Sequence, residues 1–112
     1  MAEIEASIRN SVELFLALAQ EQYPFTAAYL YGSYAKGTAT QWSDIDVALI
    51  APTFASNLFD DQVTLMELAA TVDDRIEPYP FTDTTFTMNN PLAYEIQRYG
   101  IRLYPQMVNN AA

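Results

Sequence analysis

Between Glu3 and Gln22 apolar residues recur at helical spacing. Ile4, Ile8, Val12, Phe15 and Ala19 form one stripe, widened by Leu14, Leu16 and Leu18. That period predicts a helix over residues 3–22. Pro24 stops it, because proline lacks an N–H and cannot continue a helix. The pattern then changes to short apolar runs. Phe25 to Tyr31 (FTAAYLY), ending at Gly32, predicts a strand, and Ile45 to Ala51 (IDVALIA) predicts a second. The second run is almost wholly apolar, which implies cover on both faces of a sheet. Helical spacing returns from Asn57 to Thr71, with Phe59, Val63, Met66 and Ala70 as the expected buried stripe. Asp60 and Asp61 fall in its first turn, where the helix dipole favours them. Arg75 to Phe81 (RIEPYPF) predicts a third strand, and Pro78 and Pro80 place it at a sheet edge. Asn90-Pro91 opens a last helix with an N-cap and a proline at the first helical position, and Gly100 closes it. Ile101 to Tyr104 predicts a final short strand, ended by Pro105.

The order is helix, strand, strand, helix, strand, helix, strand. It predicts an α/β (α+β) fold: a small mixed β-sheet packed with helices, in one domain over residues 1–105. Residues 106–112 are expected to form a flexible tail. With 112 residues and no internal repeat or low-complexity linker, there is room for one core. Half the residues (51%) are apolar, enough to fill it.

Composition narrows the chemistry. There is no Cys, so no disulfide, thiolate nucleophile or zinc knuckle can form. There is no His, so an imidazole base and a Ser-His-Asp triad are excluded. Any metal must sit on oxygen ligands, which points to magnesium, manganese or calcium. The net charge is −9 and Lys36 is the single lysine. Broad nucleic-acid binding draws on Lys and Arg, so no direct nucleic-acid partner is expected. The N-terminus mixes Glu3 and Glu5 with apolar residues, unlike a signal peptide. No apolar run approaches roughly 18 residues, so no membrane span is expected and a cytoplasmic setting fits.

The informative stretch is Gly32 to Ile50, GSYAKGTATQWSDIDVALI. Gly32-Ser33 follows a strand directly. A glycine there lets the backbone approach a ligand, and the serine offers a hydroxyl and an amide at the start of a turn or short helix, an arrangement that cradles anions. Gly37 permits a sharp turn. Asp44 and Asp46 then open the next strand two positions apart, so both carboxylates point to one side, roughly 7 Å apart at Cα. Like charges held at the start of a buried strand repel one another, and a divalent cation removes that cost. The sum is a metal–nucleotide site. The blander reading of each piece is a strand-ending turn with a cap and a solvated strand entrance.

These residues resemble the signature of the DNA polymerase β superfamily of nucleotidyltransferases, and most closely its minimal nucleotidyltransferases. The pattern G-S-x-A-x-G-x(5)-S-D-x-D is met by Gly32, Ser33, Ala35, Gly37, Ser43, Asp44 and Asp46. Ile76-Glu77-Pro78 and Gly100-Ile101-Arg102 look like softer family segments. The resemblance implies two magnesium ions on Asp44 and Asp46, and ATP as substrate. It also implies a third carboxylate on a neighbouring strand. Glu77 is the candidate for it, as metal ligand and base, although many members carry Asp there; Asp73, Asp74 and Asp83 are rivals. Nucleotide contacts are expected at Gly32, Ser33 and Ser43. Lys36 either neutralises a phosphate or is merely solvated. Trp42 and Tyr34 either stack on a base or pack the loop.

The family resemblance implies transfer of AMP from ATP to a hydroxyl with release of pyrophosphate. Larger relatives carry a further domain for the acceptor. A protein acceptor is therefore expected, as in the pairing of minimal nucleotidyltransferases with HEPN-type ribonuclease toxins. There the antitoxin modifies a toxin tyrosine. The alternative is a non-catalytic acidic antitoxin that neutralises a basic toxin by occlusion. A weaker alternative is an enzyme acting on a small alcohol or antibiotic.

Overall fold

The structure is a computed structural model that describes residues 4–55 and 58–105. Chain order runs α1 (Ala6–Gln22), β1 (Ala27–Tyr31), α2 (Ser33–Lys36), β2 (Ile45–Ile50), a 3₁₀ turn (Pro52–Ala55), α3 (Leu58–Ala70), β3 (Ile76–Phe81), α4 (Pro91–Tyr99) and β4 (Ile101–Tyr104). The α/β architecture and element order follow the sequence expectation, with two short helical turns added. The expected helix start at Asn57 and the expected tail lie outside the described residues.

The four strands form one sheet in the order β3-β2-β1-β4. β1 pairs antiparallel with β2 and β4, whereas β2 and β3 run parallel. Side chains alternate across the strands, so each face gathers its own core. One face carries Ala28, Leu30, Ile45, Val47, Leu49 and Ile76, packed with Ile8, Val12, Phe15 and Ala19 of α1 and Leu65 and Ala69 of α3. The other carries Ala48, Ile50 and Phe81, covered by Ala93 and Ile96 of α4. The central strand β2 is therefore buried on both sides over Val47–Ile50, as its apolar run requires.

The buried stripe of α3 is not the one the sequence suggested. Phe59, Val63 and Met66 are 74%, 39% and 44% exposed, and Ala70 is exposed too. Leu65 and Ala69 are buried instead, with Leu68 and Val72 partly so. One residue along a helix is about 100° around it. A helix apolar on two neighbouring stripes has a helical period whichever stripe faces the core, so period alone cannot choose. In α1 the expected stripe of Ile8, Val12, Phe15 and Ala19 is the buried one, and of the three leucines expected to widen it Leu16 packs on the core while Leu14 and Leu18 turn outward.

Pro78 and Pro80 do lie on an edge strand, and their register explains why. Ile45 N–H donates to Arg75 O and Ala51 N–H to Phe81 O, so the odd-numbered residues of β3 aim their backbone groups at β2. The even positions face outward. There the two prolines remove donors that an incoming strand would need. The outward carbonyl of Pro78 is taken by Gln62 Nε2 of α3 at 3.2 Å.

The α4 start is built as the sequence implied. Asn90 Oδ1 accepts from the N–H groups of Leu92 and Ala93 at 3.0 and 3.1 Å, and Pro91 occupies the first helical position. Gly100 N–H donates to Ile96 O, and the chain passes straight into β4. Among the described residues no helix is long and apolar enough to cross a membrane.

Replacing Asn90 by Ala leaves two helix donors without their acceptor. We expect a loss of about 1 kcal/mol, with the effect confined to stability. Thermal melting should fall by roughly 4–8 °C for a domain of this size.

Candidate active site

The site begins at the end of β1. Gly32 has φ +74°, a left-handed value that favours glycine, and it caps α2. A side chain could not be accommodated there in any case. A Cβ on Gly32 would overlap Asp46 Oδ2 and stand 3.3 Å from Asp46 Cγ. The backbone of Gly32 thus lies directly on the Asp46 carboxylate. Ser33 is the first residue of α2, and Gly37, at φ +78°, ends that helix with its N–H on Ser33 O. A one-turn helix held between two glycines thus begins at Ser33, next in the chain to the glycine that lies against Asp46.

The second strand supplies the aspartates. Ser43 Oγ accepts from Thr40 N–H at 2.8 Å, and Ser43 N–H returns to Thr40 O at 3.0 Å. This closed turn delivers Asp44 to the mouth of β2. Asp44 is exposed and Asp46 is half-buried. Across the sheet Asp46 is in register with Tyr31 on one side and Glu77 on the other. Paired positions share a face, so Tyr31, Asp46 and Glu77 form one row on the side covered by α4.

That row is short of positive charge. Burial, then Asp44, then Glu77 push the Asp46 carboxyl up to about 6. The Tyr31 hydroxyl is also held well above its ordinary value, by burial first and then by Asp46, Tyr79, Glu77 and Glu95. Tyr31 is the site residue the sequence reading missed. Its signal was available as the last strand residue before Gly32, but the antiparallel register that sets it against Asp46 was not.

Lys36 Nζ is ion-paired at 3.4 Å with Glu95 of α4, one of the carboxylates that act on Tyr31. The other candidates fall elsewhere. Asp73 is bound to Arg75 through Nε at 3.1 Å and Nη2 at 2.8 Å, which holds its carboxyl below the usual range. Asp74 lies in the turn before β3 and Asp83 beyond its far end. Tyr34 packs against the core on the opposite face and lines a cavity of about 290 Å³ with Thr40, Gln41 and Arg75. Trp42 is 84% exposed.

Among the described residues no three acidic side chains stand close enough, as they lie, to hold an ion between them. Magnesium does not require such a cage. It keeps several waters and takes one or two carboxylates together with substrate phosphates. The hard oxygen donors of Asp44 and Asp46, and the unfavourable charge on Asp46, suit such an ion.

The Polymerase beta, Nucleotidyltransferase family matches the chain over residues 16–107. The chain belongs to that family of nucleotidyltransferases. No match was found among curated proteins. Two toxin–antitoxin structures are among the solved structures that share the fold. One is a toxin–antitoxin crystallised with AMP-PNP: 24% identity, TM-score 0.66, covering 88% of this chain and 74% of the other. The second is a mutant of the toxin–antitoxin MntA-HpeT: 24% identity, TM-score 0.62, covering 86% and 73%.

The shift on Asp46 has a stability consequence. Its folded value, about 6, lies above the unfolded 3.8. Between those values the folded state holds more protons, so its stability falls as pH rises through the window. In divalent-free buffer, Asp46→Asn should be more stable than the wild type at pH 7.5, by about 1 kcal/mol once solvent screening is allowed for, as read by denaturant unfolding. The two should converge towards pH 4.

Proposed function

We propose that the chain is a magnesium-dependent nucleotidyltransferase that moves AMP from ATP onto a tyrosine hydroxyl of a HEPN-type ribonuclease toxin, acting as its antitoxin. The observation that carries this reading is the row of Asp46 and Glu77, with Asp44 beside it, set against the Gly32-Ser33 helix start. Family membership supports the reaction class. The toxin–antitoxin setting of two fold relatives, one with AMP-PNP, suggests the partner and the nucleotide.

In this reading Gly32 lets the triphosphate approach the backbone, and Ser33 and the first α2 amides donate to phosphate oxygens. Asp44 and Asp46 hold the magnesium, with Glu77 completing the set. Bound magnesium supplies charge neutralisation on the phosphates and lowers the pKa of the acceptor hydroxyl. Glu77 accepts the proton of the acceptor phenol. The phenolic oxygen bonds to the α-phosphorus, and the bond from that phosphorus to the bridging oxygen of pyrophosphate breaks. Lys36 serves the phosphates after leaving Glu95, and Ser43 keeps Asp44 in place while its hydroxyl proton remains free to donate to the nucleotide.

A second reading is occlusion without chemistry. The existing engagement of Lys36 with Glu95 favours it, because it leaves the phosphate side without a ready cation.

The test is incubation with ATP, magnesium and the product of the neighbouring gene, read by intact mass. The transfer reading expects an AMP adduct on that partner, lost in Asp44→Ala/Asp46→Ala and reduced at least 100-fold in Glu77→Gln. An unmodified partner that is neutralised equally well by the aspartate variant would replace transfer by occlusion.

A further inference from the structure

The outer face of α3 is apolar where a solvent-facing helix would be polar. Phe59, Val63 and Met66 stand at i, i+4 and i+7, all exposed, and so make one continuous stripe. Such a stripe, rimmed by charge, marks an interaction surface. It runs into a groove of about 240 Å³ lined by Phe59, Gln62, Tyr79 and Pro80. Tyr79 is itself 40% exposed. The groove therefore passes around the β3 edge. Tyr79 is two residues from Glu77 on the same face of the strand, roughly 7 Å away at Cα. A molecule seated on α3 and in this groove reaches the row of carboxylates.

The chemistry of the occupant is constrained from two sides. Pro78 and Pro80 remove the outward donors of β3, so a partner cannot add as a strand and must be met through side chains. Charge sets the rest. Asp60 and Glu67 flank the stripe on α3, Asp61 turns its buried Oδ2 to the other side, and neither α3 nor β3 contains Lys or Arg. Apolar anchors on an acidic helix complement a helix with apolar residues at the same spacing flanked by Lys and Arg.

We propose that the outward stripe of α3, with Tyr79, is the docking surface for the acceptor protein, and that it receives a basic amphipathic helix of that partner. This rests on the function proposed above and adds how the acceptor hydroxyl is brought to Glu77.

The experiment measures affinity between the full chain and the neighbouring-gene product by calorimetry. It compares wild type, Phe59→Ser/Met66→Ser and Glu67→Lys, with melting temperature and AMP-PNP binding recorded for each. The proposal expects at least a tenfold loss of affinity in the double variant and a smaller loss in Glu67→Lys. It also expects wild-type affinity to fall as salt is raised, with melting and nucleotide binding unchanged. Equal affinity in all three proteins overturns the docking surface and leaves the transfer reading standing. The absence of any wild-type complex overturns the partner itself. Self-association of the chain that the double variant abolishes would assign the stripe to a second copy and overturn the proposal.

Discussion

The carboxyl group of Asp46 sits where burial and two neighbouring carboxylates oppose its charge. It lies at the entrance of the central strand, with the Gly32 backbone pressed on it and with Tyr31 and Glu77 in register on either side. Asp44 adds a further negative charge. Such a group is held by the fold around it, because the same strand is buried on both faces from Val47 onward and cannot shift. The stability of the sheet is thus what imposes the strain at the site. A cation and a polyanion bound together would relieve it, which is how the proposed nucleotide binding connects to the local electrostatics.

Much of this was legible in the chain. The spacing of Gly32, Ser33, Asp44 and Asp46 depends on local geometry: a turn, a one-turn helix and the two-residue period of a strand. Local geometry is what a sequence encodes most directly. The strand at β3 was legible for the same reason, and Pro78 and Pro80 marked its edge. What failed was the choice between neighbouring stripes on α3. Phe59, Val63 and Met66 are as regularly spaced as the residues that are buried, and only the packing partner decides. Tyr31 was missed because its relation to Asp46 is a matter of strand pairing across residues 31 and 46, and no local rule fixes that register.

The α3 misreading has a use. A stripe with core-like spacing that the fold leaves in solvent is unexplained by folding. Its position, sharing a groove with Tyr79 and beside a strand edge closed by prolines, joins it to the strand that carries Glu77. The remaining acidic charge fits the same picture: under the proposed function Asp44, Asp46 and Glu77 would face a metal–nucleotide complex, whereas Asp60 and Glu67 lie beside the stripe on α3.

The central claim is that Asp46 is a charge placed for a magnesium-bound nucleotide. Calorimetric titration of AMP-PNP, with and without magnesium, into wild type and Asp46→Asn tests it most directly. The account predicts binding by the wild type only when magnesium is present, and at least tenfold weaker binding by the correctly folded variant. Equal affinity in the two proteins, or wild-type binding indifferent to magnesium, would contradict it.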